Sequence, residues 1–319
     1  MARTLLSVVM PTHNRTDQLE RAARSVLSQE MADLELIIVD DASGADSGAV
    51  IDRIAEDPRV RTVRNPESLG PGGARNRGIA VAQGELLGFC DDDDEWLPGA
   101  AGILVGHLES NPGLGTVSAW HRVVHRDIGR AVDYRGPRHF GADELLWFNF
   151  VALPFAIIRR SHFPDGVSFD PTLPTCEDWD VWLRCSQLHP IEVLPRVLYC
   201  YNQHGGSRVT KRGSGALVGL TGFLDKHESS MSHACRAYHR AVLAQLGGGR
   251  EAMAKRLAEE AAASPIAASV AASAIGCWSV SSTIGIRRSD PALAARAMFR
   301  LIHRREPGHR RGDLVEGPA

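Results

Sequence analysis

At 319 residues, with 44% hydrophobic and 23% charged side chains, the chain has enough apolar material for one large domain with an appendage, or for two domains. A formal net charge of −2 provides no whole-chain attraction to nucleic acid or anionic lipid, so no nucleic-acid partner is expected and any basic patch must be local. Six scattered cysteines with no C-x-x-C pair argue against a zinc ribbon and a disulfide framework, and point to a reducing, cytoplasmic setting.

Leu5 to Met10 reads as a first strand; broken by Pro11, it is too short for a signal peptide. Pro11 to Asn14 is a loop. Leu19, Ala22, Ala23, Val26 and Leu27 then fall on one face of a helix, with Thr16 as its N-cap. Leu34 to Val39 is a second strand ending at Asp40-Asp41, and Val50, Ile51, Ile54 and Ala55 mark a second helix. Val60 to Val63 is a third strand, Gly72 to Val81 a third helix and Leu86 to Cys90 a fourth strand. Strict alternation predicts a parallel sheet covered by helices on both faces, with ligands outside the carboxyl ends of the strands. Those ends carry Pro11 to Arg15, Asp40-Asp41 and Asp91-Asp92-Asp93-Asp94, so three polar loops converge on one edge.

From about Gly113 to Gly206 the pattern is less regular. Val151 to Ile158 reads as a strand, and Trp179 to Leu188 as a helix following Glu177-Asp178. After Gly213 come helical runs rich in Ala, Arg and Glu, notably Glu251 to Ala263 and Ala292 to His303, and residues 306–319 have the composition of a disordered tail. Ile266 to Ile286 carries no charge and is long enough to span a bilayer. Its Ala, Ser and Gly content makes insertion near neutral or unfavourable, so a buried or membrane-touching helix is expected there.

Several chemistries fall away on spacing. Arg75 stands where the third glycine of G-x-G-x-x-G would be, and there is no G-x-x-x-x-G-K-[ST]. Asp91 to Trp96 lacks the glycine of an EF-hand loop, and Arg122 stands where H-E-x-x-H needs Glu. A receiver domain leaves the second half of the chain unexplained. Four adjacent carboxylates at a strand end repel one another unless a cation neutralises them; otherwise they form a solvated, helix-capping turn.

In order, the chain carries Ser7-Val8-Val9-Met10-Pro11-Thr12-His13-Asn14-Arg15, Ile37-Ile38-Val39-Asp40-Asp41-Ala42-Ser43 and Gly73-Ala74-Arg75-Asn76-Arg77-Gly78. Gly84-Glu85, Phe89-Cys90-Asp91-Asp92-Asp93-Asp94-Glu95-Trp96 and Glu177-Asp178-Trp179-Asp180-Val181-Trp182 follow. Together these landmarks resemble the family 2 glycosyltransferases of the GT-A fold, over at least residues 4–210. The resemblance implies an α/β fold with a mostly parallel sheet flanked by helices and a helical C-terminal appendage. It divides the chain into a catalytic domain at 1–210, with a nucleotide-sugar half at 1–112 and an acceptor half at 113–210, a helical region at 211–305 and a tail at 306–319.

The implied activity is an inverting transfer of a sugar from a nucleotide-sugar donor, UDP- or TDP-linked, to an acceptor hydroxyl, aided by Mn²⁺ or Mg²⁺. A nucleoside diphosphate leaves poorly until its charge is neutralised, which a hard divalent cation held by carboxylates does. Asp93, with Asp91 beside it, is the expected metal end. By resemblance Asp92 lies near the ribose and Asp41 accepts from the base, at uracil N3. Pro11, Thr12, Asn14 and Arg15 belong to the nucleotide-binding loop, Arg75 contacts phosphate or ribose, and Asp94 caps the following helix at Pro98. Inversion needs a base for the acceptor hydroxyl. Asp178 matches that position, with Glu177 as backup or orienting neighbour. His204, in a loop resembling one that closes over the diphosphate, is an expected metal or phosphate contact, followed by Arg208, Lys211 and Arg212.

The alternatives are a nucleotidyltransferase or a non-catalytic sugar-nucleotide-binding protein of similar α/β fold. The first would carry a glycine-rich basic loop after the first strand, whereas Pro11 to Arg15 has no glycine; the second would have no need of Glu177-Asp178. The acceptor classes left open are a polysaccharide, a lipid-linked glycan and a small-molecule natural product or peptide. Ala292 to Arg305 reads as an apolar stripe beside Arg296, Arg300, Arg304 and Arg305. It either packs on the catalytic domain or makes a peripheral contact with the inner face of the membrane.

Overall fold

The structure is a computed structural model and describes residues 6–149, 151, 153–203 and 214–263. The first half alternates as expected: β1 (Leu6–Thr12), α1 (Asp17–Leu27), β2 (Leu34–Asp40), α2 (Ala45–Ile54), β3 (Val60–Arg64), α3 (Gly70–Val81) and β4 (Leu86–Phe89). Then come β5 (Glu95–Trp96), α4 (Ala100–Ser110), β6 (Thr116–His125), β7 (Arg130–Tyr134), β8 (His139–Phe140), α5 (Ala142–Trp147) and β9 (Ala156–Arg159). α6 (Glu177–Leu188), β10 (Ile191–Gln203), α7 (Ser214–His227) and α8 (His233–Ala263) complete the described elements.

All the described strands join one sheet. Its main path runs β3-β2-β1-β4-β9-β6-β10-β5, with β7 on β6 and β8 on β10. β3, β2, β1 and β4 are parallel, β9 runs antiparallel between β4 and β6, and β10 is again parallel to β6. Strict alternation therefore ends at β4, and the reversed β9 splices the second half onto the first. The strand expected over Val151 to Ile158 shortens to β9. Leu153–Phe155 forms a 3₁₀ turn instead, where Pro154 has no N–H to give a ladder.

Side chains alternate across the pleat. Leu6, Val8 and Met10 face a core with α1, α2 and α4, whereas Val9 faces the core that holds α3, α5, α6, α7 and the start of α8. Gly78 lets α3 sit against the sheet: a Cβ there would stand 2.4 Å from Val9 Cγ1 and 3.0 Å from Val39 Cγ2. Thr16 occupies the N-cap position of α1 but makes no side-chain capping bond; its carbonyl accepts the N–H of Glu20. Phe223, Met231, Cys235, Tyr238 and Ala241 bring α7 and α8 into the second core. Among the described residues no helix is long and apolar enough to cross a membrane. The expectations for Ile266 to Ile286, Ala292 to Arg305 and residues 306–319 lie outside the described residues.

Candidate active site

The carboxyl ends of β1, β2 and β4 meet as the parallel register requires. Thr12 Oγ1 at the end of β1 donates to Asp92 Oδ2 at 2.8 Å, across 80 residues of sequence. Arg15 stands 3.8 Å from Asp92 and 3.9 Å from Asp93, further than a direct hydrogen bond. Asn14 ties the first loop to the second: its N–H donates to Ser43 Oγ at 2.9 Å and its Oδ1 accepts the N–H of Gly44 at 2.9 Å. Pro11 sits within β1, in register with Val39.

Asp41 is buried, and both its oxygens are used. Oδ1 accepts from Asn65 Nδ2 at 2.8 Å and from the N–H of Leu69 at 2.9 Å; Oδ2 accepts from Ser68 Oγ at 2.7 Å and from the N–H of Gly70 at 3.0 Å. Burial alone would raise its pKa, but these four bonds outweigh it and hold the carboxyl below the usual range. A carboxylate has about four lone-pair positions. The role expected for Asp41, accepting from the base, requires one of these bonds to be given up. Asn65, buried beside it, leaves its Oδ1 without a hydrogen-bond partner.

The acidic run is a tight turn, closed by Asp94 N–H to the Asp91 carbonyl at 3.1 Å. Burial, with the charges of Asp93 and Asp91 beside it, pushes the Asp92 carboxyl up to about 7, against the Thr12 bond and Arg15. Asp94 caps no helix. α4 begins at Ala100 with Gly99 as its N-cap, whereas Asp94 Oδ1 accepts the backbone N–H of Asn202 on β10 at 2.9 Å. Asn202 Nδ2 in turn donates to the Asp93 carbonyl at 2.8 Å. The turn is thus pinned to the last strand because β5 brings Glu95 and Trp96 into register with β10.

Arg75, 4% exposed on α3, joins the acidic turn after β4 to the acidic start of α6. Its Nη2 lies 2.7 Å from Asp91 Oδ1 and its Nη1 2.9 Å from Glu177 Oε1. Burial opposes its charge, but Asp91 and Glu177 outweigh that and raise its pKa. Its Nε has no partner, and the guanidinium carbon sits 5.4 Å from the centre of the Phe169 ring. The phosphate or ribose contact expected of Arg75 therefore competes with two ion pairs.

Glu177 and Asp178 form the first turn of α6, where the helix dipole favours anions. Asp178 Oδ1 accepts the N–H of Trp179 at 2.7 Å, and Oδ2 accepts Asn149 Nδ2 at 3.0 Å. Burial and the neighbouring charge of Glu177 push Asp178 up to about 7. One residue before Glu177, Cys176 holds φ at 64°. With Asn14 at 55° and Ala42 at 63°, it completes the set of non-glycine residues in the left-handed region among those described. All three flank the loops just described, and such conformations cost about 1–2 kcal/mol each.

α6 is clamped from behind. Asp180, fully buried, meets His227 Nε2 at 2.8 Å, Lys226 Nζ at 2.9 Å and Arg184 Nε at 2.9 Å. Burial would raise its pKa, yet His227, Lys226 and Arg184 together hold it low. Trp179 donates to the Leu145 carbonyl on α5 at 2.5 Å and stacks on Phe223 of α7 at 4.3 Å.

The structure thus brings Thr12, Arg15, Arg75, Asp91, Asp92, Asp93, Glu177 and Asp178 into one linked set, whereas Asp41 and Asn14 brace the adjoining loops. His204, with Arg208, Lys211 and Arg212, lies outside the described residues. Asn149 and Asn65 have no spacing signal in the sequence, and Asn202, in the stretch Tyr199 to Ser207 that resembles the loop over the diphosphate, lies within β10. Among the described residues no three His, Cys, Asp or Glu side chains converge as a metal cage. Hard-oxygen donors at Asp91 and Asp93 fit a different mode, in which one or two carboxylates hold Mg²⁺ or Mn²⁺ and phosphate oxygens complete the shell.

The family model described as glycosyl transferase family 2 matches residues 7–163. A GalNAc(5)-diNAcBac-PP-undecaprenol beta-1,3-glucosyltransferase of Campylobacter jejuni is 41% identical over 102 residues, 31% of this chain and 33% of that relative. The chain thus spans only about a third of that protein's length. An uncharacterized protein of Mycobacterium tuberculosis is 30% identical over 227 residues, 66% of this chain and 70% of its own. Among solved structures, a mannosyltransferase from Pyrobaculum calidifontis in complex with GDP-Man and Mn²⁺ superposes with a TM-score of 0.57 at 19% identity, covering 94% of this chain and 88% of that one.

Proposed function

The chain belongs to glycosyl transferase family 2, and on that premise we propose that it transfers a sugar, with inversion, from a UDP- or TDP-linked donor to an acceptor hydroxyl. The observation that carries the reading is Arg75. By pairing with both Asp91 and Glu177 it holds the acidic strand-end turn and the acidic helix start on either side of one buried cation, the separation of donor and acceptor functions that such a transfer needs.

Thr12, Arg15 and Asp92 line the nucleotide side, and Asp41 keeps residues 65–70 folded beside the base. Asp91 and Asp93 would hold Mn²⁺ or Mg²⁺, whose chemistry is to neutralise the departing diphosphate. Asp178 takes the proton from the attacking hydroxyl, with its carboxyl raised toward neutrality by burial and Glu177, so that it is matched to that proton. Glu177 is held away from this task by Arg75. For the acceptor we carry over the class printed for the Campylobacter jejuni relative, a polyprenyl-diphosphate-linked saccharide, which accords with a peripheral membrane contact.

A thermal-shift panel of UDP-, TDP- and GDP-sugars, each with and without Mn²⁺, tests the reading. A Mn²⁺-dependent rise with a UDP or TDP donor is expected, with the Mn²⁺ dependence absent in Asp93→Ala. A response to GDP-sugars alone overturns the nucleotide assignment, and no response to any nucleotide in folded protein overturns the function.

A further inference from the structure

We infer that Asn149 is a positioning residue for the transfer: its amide grips one oxygen of Asp178 and sets the plane in which that carboxylate meets the incoming hydroxyl. This deepens the function proposed above and rests on Asp178 being the base. Asn149 lies two residues beyond the end of α5 and 29 residues before Asp178. Its Nδ2 is 3.0 Å from Asp178 Oδ2, and its Oδ1 accepts the backbone N–H of Val151 at 3.1 Å. The second bond fixes which way the amide faces. With Oδ1 committed to an N–H, the group turned toward Asp178 is the NH₂.

Asp178 Oδ1 is occupied by the N–H of Trp179 at 2.7 Å. Each oxygen therefore receives one protein donor and keeps a second lone-pair position for a substrate hydroxyl. The Trp179 bond is local to the helix and leaves the carboxylate free to rock about it. Asn149 supplies the contact from a different element that stops the rocking.

The charged and titratable groups around Asp178 are Glu177 beside it, Arg75 across the site and the Cys176 thiol; from α8, His239 packs on the Trp179 ring at 5.6 Å. Burial and Glu177 raise the Asp178 pKa, whereas Asn149, as a donor, favours the charged form and lowers it. The base works unprotonated, so turnover falls as pH drops through its pKa. Removing the donor raises that pKa further, and the acid limb of the pH profile moves up.

Asn149→Ala and Asn149→Asp test this. The aspartate keeps the side-chain shape and an oxygen for the Val151 N–H, so the loop is retained while the donor becomes a second carboxylate. Two measurements are made: UDP release from UDP-glucose with Mn²⁺ and no acceptor, against pH, and titration of ¹³C-labelled aspartate carboxyl carbons, with Asp178 assigned by the signal lost in Asp178→Asn. In Asn149→Ala the acid limb and the Asp178 midpoint should both rise by about one unit, and in Asn149→Asp by more. Turnover at slightly acid pH should fall roughly tenfold, recover toward alkaline pH in the alanine variant, and leave the KM for UDP-glucose within about twofold. Equal loss at every pH with an unmoved midpoint, or an unchanged profile in both variants, overturns the inference. The carboxyl titration needs no turnover, so the two readings fail separately. Normal UDP release by Asp178→Asn removes the base assignment, whereas loss in Asp178→Asn with an unmoved midpoint in the Asn149 variants removes only the role of Asn149.

Discussion

The two ends of the site hold their carboxylates by different means. Beside β2, Asp40 and Asp41 are fixed chiefly by nearby loops: the N–H groups of Ser43, Leu69 and Gly70, and the side chains of Asn65, Ser68 and Arg64. At the start of α6, Glu177, Asp178 and Asp180 are held chiefly by side chains from other elements, Arg75, Asn149, His227 and Lys226, with the N–H of Trp179 and the side chain of Arg184 from α6 itself. Half of these donors are backbone N–H groups, and those on Asp41 come from a single segment, Asn65 to Gly70, 24 to 29 residues further along the chain. The carboxylates at the start of α6 depend on how the surrounding elements pack, α7 above all, which supplies Lys226 and His227. Equivalent changes should therefore act on donor binding at the first end and on chemistry at the second.

The largest effect should come from Asp178→Asn. Removing a general base lowers turnover by about 10²–10⁴-fold, while the thermal shift given by donor and Mn²⁺ stays as in the parent protein. Loss of the donor response as well would break the division between the ends. Next is Asp180→Ala, which strands the buried His227 and leaves Lys226 paired with Asp170 and Arg184 bonded to the Ser168 carbonyl. Breaking a buried ion pair costs about 3–5 kcal/mol; since Lys226 and Arg184 are each 34% exposed, roughly 2–4 kcal/mol is expected by urea unfolding. kcat should fall with it and donor KM stay put. The smallest is Asp41→Asn, which loses charge-assisted bonds in an isosteric frame, at about 1.5–3 kcal/mol. Here the sign of the comparison reverses: donor KM should rise and kcat hold. An unchanged KM would mean that residues 65–70 do not shape the nucleotide side.

Much of the first half is legible because the periodicity of its elements is local. The alternating apolar runs gave β1 to β4 and their helices, since a pleat repeats every two residues and a helix every 3.6. Asp40-Asp41 and Asp91 to Asp94 fell at strand ends for the same reason. Glu177-Asp178 could be placed at a helix start because acidic residues suit that terminus. Arg75 could be marked as important but not assigned: only the fold shows its guanidinium spent on Asp91, 16 residues away, and on Glu177, 102 residues away. Asp94 illustrates the opposite error. Its position just before a helix suggested a cap, but its partner is the N–H of Asn202, 108 residues on, which sequence proximity cannot reveal.

By itself the sequence determined the periodic elements, the edge on which the polar loops gather and the family to which the chain belongs, because residue spacing fixes which side chains share a face and which lie at an end. Only the tertiary structure decided that β9 enters in reverse between β4 and β6, that Leu153–Phe155 form a 3₁₀ turn before it, and that Asn149 reaches Asp178. Those outcomes depend on long-range pairing, in which one strand direction sets the approach of several loops at once. No window of local sequence carries that information, since each partner is free to meet many others until the sheet order excludes them.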